Sequence, residues 1–284
     1  MIINGNLIAQ RVKEEVRCEI KHLKSLGITP GLAVIIVGTN PASEIYVKNK
    51  QKACESLGIY SKKISLPENI SESDLLRIID ELNVNKNIHG ILAQLPLPPH
   101  INEQRVAERI HPDKDVDAFS YVNIGKLITG NACLIPCTPS GIMELLKHEN
   151  VLIKGKHCVV VGRSNIVGKP IAALMLQSNA TVTVCHSQTK NLAEFCKSAD
   201  ILICAVGKPN FIRKEMIKEG AVIIDVGINR NENGTICGDV DFDSVQNLAS
   251  LITPVPGGVG PMTIAMLMKN TVIASKIQNK CFLN

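Results

Sequence analysis

One lysine stands among apolar residues in the segment PASEIYVKNKQKACESLG, residues 41–58. Pro41 suits the first position of a helix and Gly58 suits its end, so the segment predicts one amphipathic helix. At about 100° per residue, Lys50 lies in the middle of the apolar side, one turn after Tyr46. A helix with a polar face available has therefore placed a charged group on its apolar face.

Burial of this ammonium group would favour the neutral amine, which is a base near neutral pH. The neighbouring Tyr46 hydroxyl can donate or accept a hydrogen bond. The alternative is a lysine at the edge of the apolar face whose head group reaches water. The helix by itself leaves a catalytic and a surface role for Lys50 open.

Two further stretches carry polar groups where a ligand would bind. Gln94 lies near the C-terminal end of the apolar strand in HGILAQLPLPP, and ligands of open α/β sheets bind outside such ends. The segment HPDKDVDAF contains Asp115 and Asp117. A carboxylate can accept two parallel N–H bonds from an amidine-like edge, such as that of a pterin ring. The alternatives are a glutamine satisfied by loop backbone and aspartates that cap turns.

The segment HCVVVGRSNIVGKPIAALML predicts a strand, a tight glycine turn and a helix. Gly162 and Gly168 would let the backbone approach a phosphate, and the N-terminus of the helix would attract its charge. Ser164 stands where the G-x-G-x-x-G pattern has its second glycine. Nucleotide binding is favoured, and a purely structural strand–helix turn is the alternative.

The end of the next strand favours NADP over NAD. NAD-binding folds carry an acid about 20 residues after the first glycine, whereas this strand ends CHSQTK without a carboxylate. Arg163 and Ser187 could bind a 2′-phosphate through a guanidinium and a hydroxyl. Their alternatives are a solvated loop arginine and a turn or capping serine.

Short apolar runs alternate with helical patterns along the whole chain, which predicts an α/β fold with parallel sheets flanked by helices. The predicted strands are 31–38, 59–66, 89–97, 157–162, 181–186, 201–206 and 221–227. The predicted helices are 6–26, 41–57, 71–84, 102–110, 168–178, 191–198, 213–218 and 261–278. Prolines and a glycine in NACLIPCTPSGIMELL place a domain break there. The last helix is expected to return to the first domain.

The composition of the 284 residues narrows the function class. The longest apolar runs are strand-sized, and the N-terminus has no signal-peptide pattern, so neither a membrane partner nor export is predicted. A net charge of +5 without a dense basic run, and the absence of Trp, argue against nucleic acid. None of the ten cysteines forms a C-x-x-C pair, so we expect no metal site and a reduced, cytoplasmic protein.

Seven motifs, in order and spacing, resemble the bifunctional methylenetetrahydrofolate dehydrogenase/methenyltetrahydrofolate cyclohydrolase family over essentially the full chain. They are VGTNPASEIYVKNKQKAC, GILAQLPLP, HPDKDVDAF, PCTPSG, VVVGRSNIVGKP, GDVDF and ITPVPGGVGPMT. The resemblance implies a folate-binding and catalytic domain (1–138, with 262–284 returning to it) and a Rossmann-like NADP-binding domain (139–261). It also implies tetrahydrofolate one-carbon derivatives as substrates and a homodimer joined through the nucleotide domains.

The same resemblance implies roles for single residues. Lys50 matches the catalytic lysine, Tyr46 a tyrosine that contacts folate, Gln94 the glutamine paired with the lysine, and Asp117 the acid that holds the pterin. The NADP-contacting positions it implies are Gly162, Arg163, Ser164, Ser187 and Ile228. Gly257 and Gly258 match a loop near the substrate.

Two features after Asp117 depart from the family pattern, namely Ala118 and the segment SYVNIG, which replaces the more usual residues around 120 to 124. Ala118 stands where the family has a glycine after the folate-holding acid, and its methyl group would alter the local fit or shift the turn. Two other functions remain open on the sequence. They are another NADP-linked dehydrogenase, of the shikimate type, and a catalytically silent nucleotide- or folate-binding protein.

Overall fold

The computed structural model of this chain describes residues 1–231 and 233–281. Its contacts divide the chain into two compact units. The first-half unit contains Arg11–Cys137 and the chain from Ile264 onward. The second-half unit contains Met1–Gln10 and Thr138–Thr263. The predicted division had placed residues 1–138 together with 262–284, of which 282–284 lie outside the described residues.

The first ten residues are the main departure from that division, because the N-terminus pairs with a strand of the second-half unit. The Ile3 N–H donates to Ile252 O at 2.8 Å, and the Ile252 N–H donates to Met1 O at 3.0 Å. Gly5 packs so closely on Gly258 that a Cβ at Gly5 would overlap the Gly258 carbonyl oxygen. The sequence shows one continuous helical pattern over residues 6–26. It therefore did not indicate that the first turn of this helix belongs to the second-half unit.

The first-half unit is built on a small parallel sheet. Its strands are β1 (Gly31–Val37), β2 (Tyr60–Leu66) and β3 (Gly90–Ala93), in the order β2-β1-β3. Its helices are α1 (Gly5–Ser25, which belongs to this unit from Arg11 onward), α2 (Pro41–Leu57), α3 (Glu72–Val84), α4 (Glu103–Arg109) and α5 (Tyr121–Ile128). Every residue of β1 is buried, as expected for a central strand covered on both faces. Helix α2 begins at Pro41 and ends before Gly58, as predicted.

The second-half unit contains a five-stranded parallel sheet in the order β10-β7-β6-β4-β5. Its strands are β4 (His157–Val161), β5 (Thr181–Cys185), β6 (Ile201–Cys204), β7 (Val222–Asp225) and β10 (Leu251–Ile252), with β8 (Asn229–Arg230) and β9 (Ile236–Cys237) as a separate antiparallel pair. The helices of this half are α6 (Cys137–His148), α7 (Gly168–Gln177), α8 (Leu192–Ser198), α9 (Phe242–Val245) and α10 (Val259–Gln278), the last running on into the first-half unit. Strands β5 and β6 lie on opposite sides of β4, so the chain reverses direction across the sheet at β4.

The predicted α/β class with a doubly wound nucleotide-type sheet is confirmed, and the errors lie in short helices and in the two-residue strands β8, β9 and β10, which were not predicted. Residues 213–218 form only a 3₁₀ turn, Lys214–Met216. Helix α5 was not predicted, and α6 begins inside the stretch read as a domain break. Pro139 is the third residue of α6, where a missing N–H costs no intrahelical bond. In the described ranges no helix has the length and apolarity needed to cross a membrane.

Candidate active site

Lys50 and Gln94, which are 44 residues apart in the sequence, meet in the first-half unit. Helix α2 places Lys50 on its inner face, where the residue is 9% exposed. Its Nζ donates a hydrogen bond to Gln94 Oε1 at 2.9 Å. The residue patterns singled out these two residues separately, on a helix and at a strand end, and the structure shows the contact between them that the family resemblance implied.

The side chain of Gln94 is fixed from two sides. Its backbone N–H donates to Ile35 O at 2.8 Å, which continues the pairing of β3 with β1 by one residue. Its side-chain Nε2 donates to Leu95 O at 2.8 Å, just before the cis peptide bond between Leu95 and Pro96. With its amide nitrogen engaged, the amide directs its oxygen at the lysine.

Tyr46 lies one turn before Lys50 on α2 and is 41% exposed. The helix itself is anchored by residues on its buried side, such as Val47 and Cys54, which have no exposed surface. The Cys54 thiol lies 3.6 Å from Met268 Sδ on α10. A rigidly seated helix thus holds an accessible aromatic ring beside a buried amine, an arrangement suited to a flat ligand.

Asp117 is a half-buried carboxylate whose charge is linked to that of Lys50. Burial raises the pKa of Asp117 to about 6, and the charge of Lys50 acts in the opposite direction. The Cys137 thiol lies 3.9 Å from Asp117 Oδ1 and donates to Val116 O at 3.4 Å. This carboxylate can change its ionisation near neutral pH, which is unusual for an aspartate.

Asp115, the other acid of the predicted pair, organises the loop. It is 1% exposed, and its Oδ2 accepts from the Ser120 N–H at 2.9 Å and from Asn123 Nδ2 at 3.0 Å. Within this loop, between Asp115 and Ser120, Ala118 takes a φ of +58°, a left-handed conformation that favours glycine. Ala118 therefore keeps the turn that a glycine would make, with its methyl group fully buried.

One residue of this neighbourhood was missed by the sequence analysis. Asn270 of α10 is 3% exposed, and its Nδ2 donates to Val116 O and to Ile135 O, both at 2.8 Å. The same nitrogen lies 3.7 Å from Cys137 Sγ. The sequence did offer a signal for this residue, because Asn270 stands in the apolar run of the last helix. A buried amide there requires hydrogen-bond partners, which would have indicated a polar contact.

The glycine turn after β4 has the predicted close-packed backbone. Gly162 has a φ of +129°, and a Cβ there would overlap Ala205 O. A Cβ at Gly168 would overlap the Gly162 carbonyl oxygen. Ser164 Oγ accepts from the Val167 and Gly168 N–H groups at 3.2 and 3.3 Å. The serine in the place of the second glycine thus shapes the entry into α7.

The remaining predicted cofactor residues lie at the carboxyl ends of strands β4, β5 and β7 of the same sheet. Arg163 and Ser187 are exposed, and the turns that carry them are adjacent because the Gly162 N–H donates to Cys185 O at 2.8 Å. Ile228 follows β7 and is 52% exposed. A nucleotide at this edge would meet a guanidinium, a hydroxyl and an apolar side chain without a carboxylate at the end of β5.

Gly257 and Gly258 lie in the second-half unit, before α10. Gly257 has a φ of +100° and follows the cis peptide bond between Val255 and Pro256. A Cβ at Gly258 would lie 2.5 Å from Pro254 O. The backbone of this loop therefore requires both glycines for its own packing, whatever its ligand.

Comparison with known proteins places the chain among enzymes of one-carbon metabolism. Residues 3–117 match the model of the tetrahydrofolate dehydrogenase/cyclohydrolase catalytic domain, and residues 136–279 match that of the NAD(P)-binding domain of the same family. A protein from Acetivibrio thermocellus named bifunctional protein FolD is 58% identical, and the match covers 98% of each chain.

Two solved structures match this chain over nearly their full length. The bifunctional methylenetetrahydrofolate dehydrogenase/cyclohydrolase FolD of Campylobacter jejuni has a TM-score of 0.96 at 49% identity, covering 98% of this chain and 99% of that one. The Trypanosoma brucei enzyme, complexed with NADP and an inhibitor, has a TM-score of 0.94 at 40% identity, covering 99% and 98%.

Proposed function

Because this chain belongs to the tetrahydrofolate dehydrogenase/cyclohydrolase family, we propose that it oxidises 5,10-methylenetetrahydrofolate and then hydrolyses the methenyl product to 10-formyltetrahydrofolate. The observation that carries the proposal is the hydrogen bond from the buried Lys50 amine to Gln94. It supplies a positioned nitrogen base for the hydrolytic step, which a merely folate-binding protein would not need.

The oxidation depends on alignment more than on acid–base chemistry. The lone pair of a substrate nitrogen expels a hydride from the bridging carbon, which leaves a methenyl cation. NADP⁺, when bound, accepts that hydride. The chain would hold the cofactor on the turn at Gly162, where the backbone is close-packed and a side chain would not fit. Ser164 orders the same turn through its bonds to the start of α7.

The hydrolysis requires a proton acceptor. Water adds to the methenyl carbon and gives one proton to the base. The resulting carbinol loses its hydroxyl proton as the carbon–N5 bond breaks, and N5 takes up a proton, which gives the formyl product. Lys50 acts as the base or proton relay, a role typically worth about 10²–10⁴-fold in rate. Gln94 orients the amine through a neutral amide oxygen, without adding a negative charge. Asp117 holds the pterin through its carboxylate, and Tyr46 contacts the folate.

Cofactor choice follows from charge at the end of β5. The exposed Arg163 and Ser187 would bind the 2′-phosphate of NADP, and Ile228 would contact the cofactor from the end of β7. An acid at the position of Ser187 would instead repel this phosphate. Gly257 and Gly258 would let backbone approach the substrate.

We further propose a cytoplasmic homodimer in which the second-half units meet. Strand β5 is an edge of the five-stranded sheet, and its Val184 is 38% exposed, so it offers backbone and apolar surface to a partner. All ten cysteines are free, in keeping with a reducing compartment. Sedimentation velocity would give the oligomeric state, and a monomer at micromolar concentration would contradict the dimer.

A single absorbance experiment tests the proposed activity. Purified protein is mixed with 5,10-methylenetetrahydrofolate and NADP⁺, and the rise of the methenyl chromophore is followed by its decay on hydration. Both phases are expected. Oxidation of shikimate with no folate turnover would favour the other dehydrogenase, and binding without turnover would favour the silent protein. Formation without accelerated decay would leave only the dehydrogenase activity.

A further inference from the structure

A fully buried carboxylate holds the loop that follows β6 in the second-half unit. Asp239, from the GDVDF motif, has no exposed surface. Its Oδ2 accepts from the backbone N–H groups of Val206 and Gly207 at 2.6 and 3.1 Å. Its Oδ1 accepts from the Lys208 N–H and from Asn229 Nδ2, both at 2.9 Å. Three consecutive peptide groups are therefore bound by one side chain.

Asp239 is itself fixed by a second buried aspartate at the end of β7. Asp225 Oδ1 accepts from the Asp239 and Gly227 N–H groups at 2.9 and 3.0 Å. Asp225 Oδ2 accepts from the Val240 N–H at 2.9 Å. Gly227 leaves no room for a Cβ, which would overlap the Asp239 carboxylate. The position of Asp239 is thus set by backbone from two loops.

The loop held in this way lies at the carboxyl edge of the sheet, beside the glycine turn that follows β4. Strand β4 carries the glycine turn, and β6 is its neighbour on the side away from β5. The Ala205 carbonyl oxygen lies against Gly162, because a Cβ at that glycine would overlap it. Ligands of such sheets bind where the strand order reverses, which here is between the turns after β4 and β6.

The orientation of these peptide groups has a chemical consequence. In a trans peptide the N–H and the C=O point in opposite directions. Since the N–H groups of Val206, Gly207 and Lys208 point at Asp239, the carbonyls of the preceding residues point away from it. Carbonyl oxygens accept hydrogen bonds from amide N–H and hydroxyl groups. The nicotinamide nucleoside end of the cofactor carries both kinds of donor.

We infer that Asp239 is a positioning residue whose carboxylate orients the Val206 and Gly207 carbonyls to bind the nicotinamide nucleoside end of the cofactor. The inference rests on the proposed function. It differs from the proposed role of Arg163 and Ser187, which lie at the β4 and β5 turns and would bind the adenosine end. Asp239 contacts backbone and Asn229 in this structure and would act through them.

Comparing two ligands allows binding at the two ends of the cofactor to be measured separately. Calorimetric titration measures the dissociation constants of NADP⁺ and of adenosine 2′,5′-bisphosphate, which lacks the nicotinamide nucleoside. In Asp239→Asn, an amide N–H group replaces an acceptor that faces N–H donors. We expect the dissociation constant for NADP⁺ to rise about tenfold or more, as for the loss of one or two hydrogen bonds. That of the bisphosphate should change less than about twofold. The exposed Asp243→Asn is the matched control and should change neither.

A second variant keeps the test decisive if Asp239→Asn does not fold. Gly207 has a φ of +67° and no atom within 4 Å of a Cβ built on it, so Gly207→Ala disturbs the loop backbone without a steric overlap. As in Asp239→Asn, the dissociation constant for NADP⁺ should rise while that for adenosine 2′,5′-bisphosphate changes little. Equal weakening of both ligands, or no weakening of either, would overturn the role of Asp239. Failure of the unaltered protein to bind NADP⁺ would instead overturn the proposed function.

Discussion

Lys50 and Gln94 form a lysine–amide pair, with Nζ 2.9 Å from Oε1, at a position where the amine is almost fully buried. An amide oxygen orients an amine without contributing a full negative charge. A carboxylate in the same place would stabilise the ammonium form as an ion pair and oppose its use as a base. The partner chosen for Lys50 therefore suits proton transfer better than it suits a structural salt bridge.

Replacing Lys50 by methionine should abolish hydrolysis of methenyltetrahydrofolate and leave ligand binding measurable. Methionine fills similar space but cannot accept a proton, so the hydrolysis rate should fall by about 10²–10⁴-fold. Stopped-flow decay of the methenyl chromophore gives this rate. Lys48→Met, at an exposed position of the same helix, is the control and should retain full activity. An unchanged rate in Lys50→Met would remove the amine from the mechanism.

Replacing Arg163 by alanine should discriminate between the two nicotinamide cofactors. The guanidinium is expected to bind the 2′-phosphate, which only NADP⁺ carries, and charge-assisted hydrogen bonds contribute about 1.5–3 kcal/mol. The KM for NADP⁺ should therefore rise about 10- to 100-fold while that for NAD⁺ changes little. Steady-state dehydrogenase kinetics with both cofactors measure the effect. Arg213→Ala removes an exposed arginine elsewhere in the same unit and should behave like the unaltered protein. Equal effects on the two cofactors would show that Arg163 does not contact the phosphate.

Substrate binding should depend on pH through Asp117. Burial raises the pKa of this carboxyl to about 6, so it is ionised at pH 7.5 and protonates as the pH falls below 6. A protonated carboxyl cannot accept two N–H bonds from the pterin edge. We expect kcat/KM for the folate substrate to fall by about tenfold per pH unit below 6, with the profile measured from pH 5 to 8. Asp117→Asn should have low kcat/KM without this inflection. An inflection retained in that variant would assign it to another group.

The buried Asp225 should make the stability of the protein depend on pH. Burial raises its pKa from an ordinary 3.8 to about 6, which corresponds to about 3 kcal/mol. Because the folded-state value is the higher one, the folded protein takes up the extra proton first. The free energy of unfolding contributed by this group therefore falls as the pH rises from about 4 to about 6.

Urea unfolding across this pH range measures the effect. Asp225→Asn cannot titrate and should lack this part of the pH dependence, whereas the exposed Asp243→Asn should retain it. Parallel curves for the unaltered protein and Asp225→Asn would contradict the assignment of this titration to Asp225.

The sequence by itself determined the repeating pattern and the local chemistry. Apolar runs bounded by turn residues gave the parallel strands, since burial on both faces leaves little choice of residue type. Pro41 and Gly58 fixed the limits of α2, and the period of that helix placed Lys50 on its apolar side, whereas the burial of the amine was decided by the structure. The order of seven motifs identified the family. Each of these features is read from the type, spacing and order of residues along the chain.

Only the tertiary structure decided which groups meet across the chain. It formed the Lys50–Gln94 hydrogen bond that only the family resemblance had implied, separated a loop-organising Asp115 from Asp117, and placed Asn270 of the last helix on the backbone beside them. It also gave the first ten residues to the second-half unit. Hydrogen bonds between residues that are distant in sequence depend on how packed elements converge, and neither periodicity nor propensity specifies that convergence.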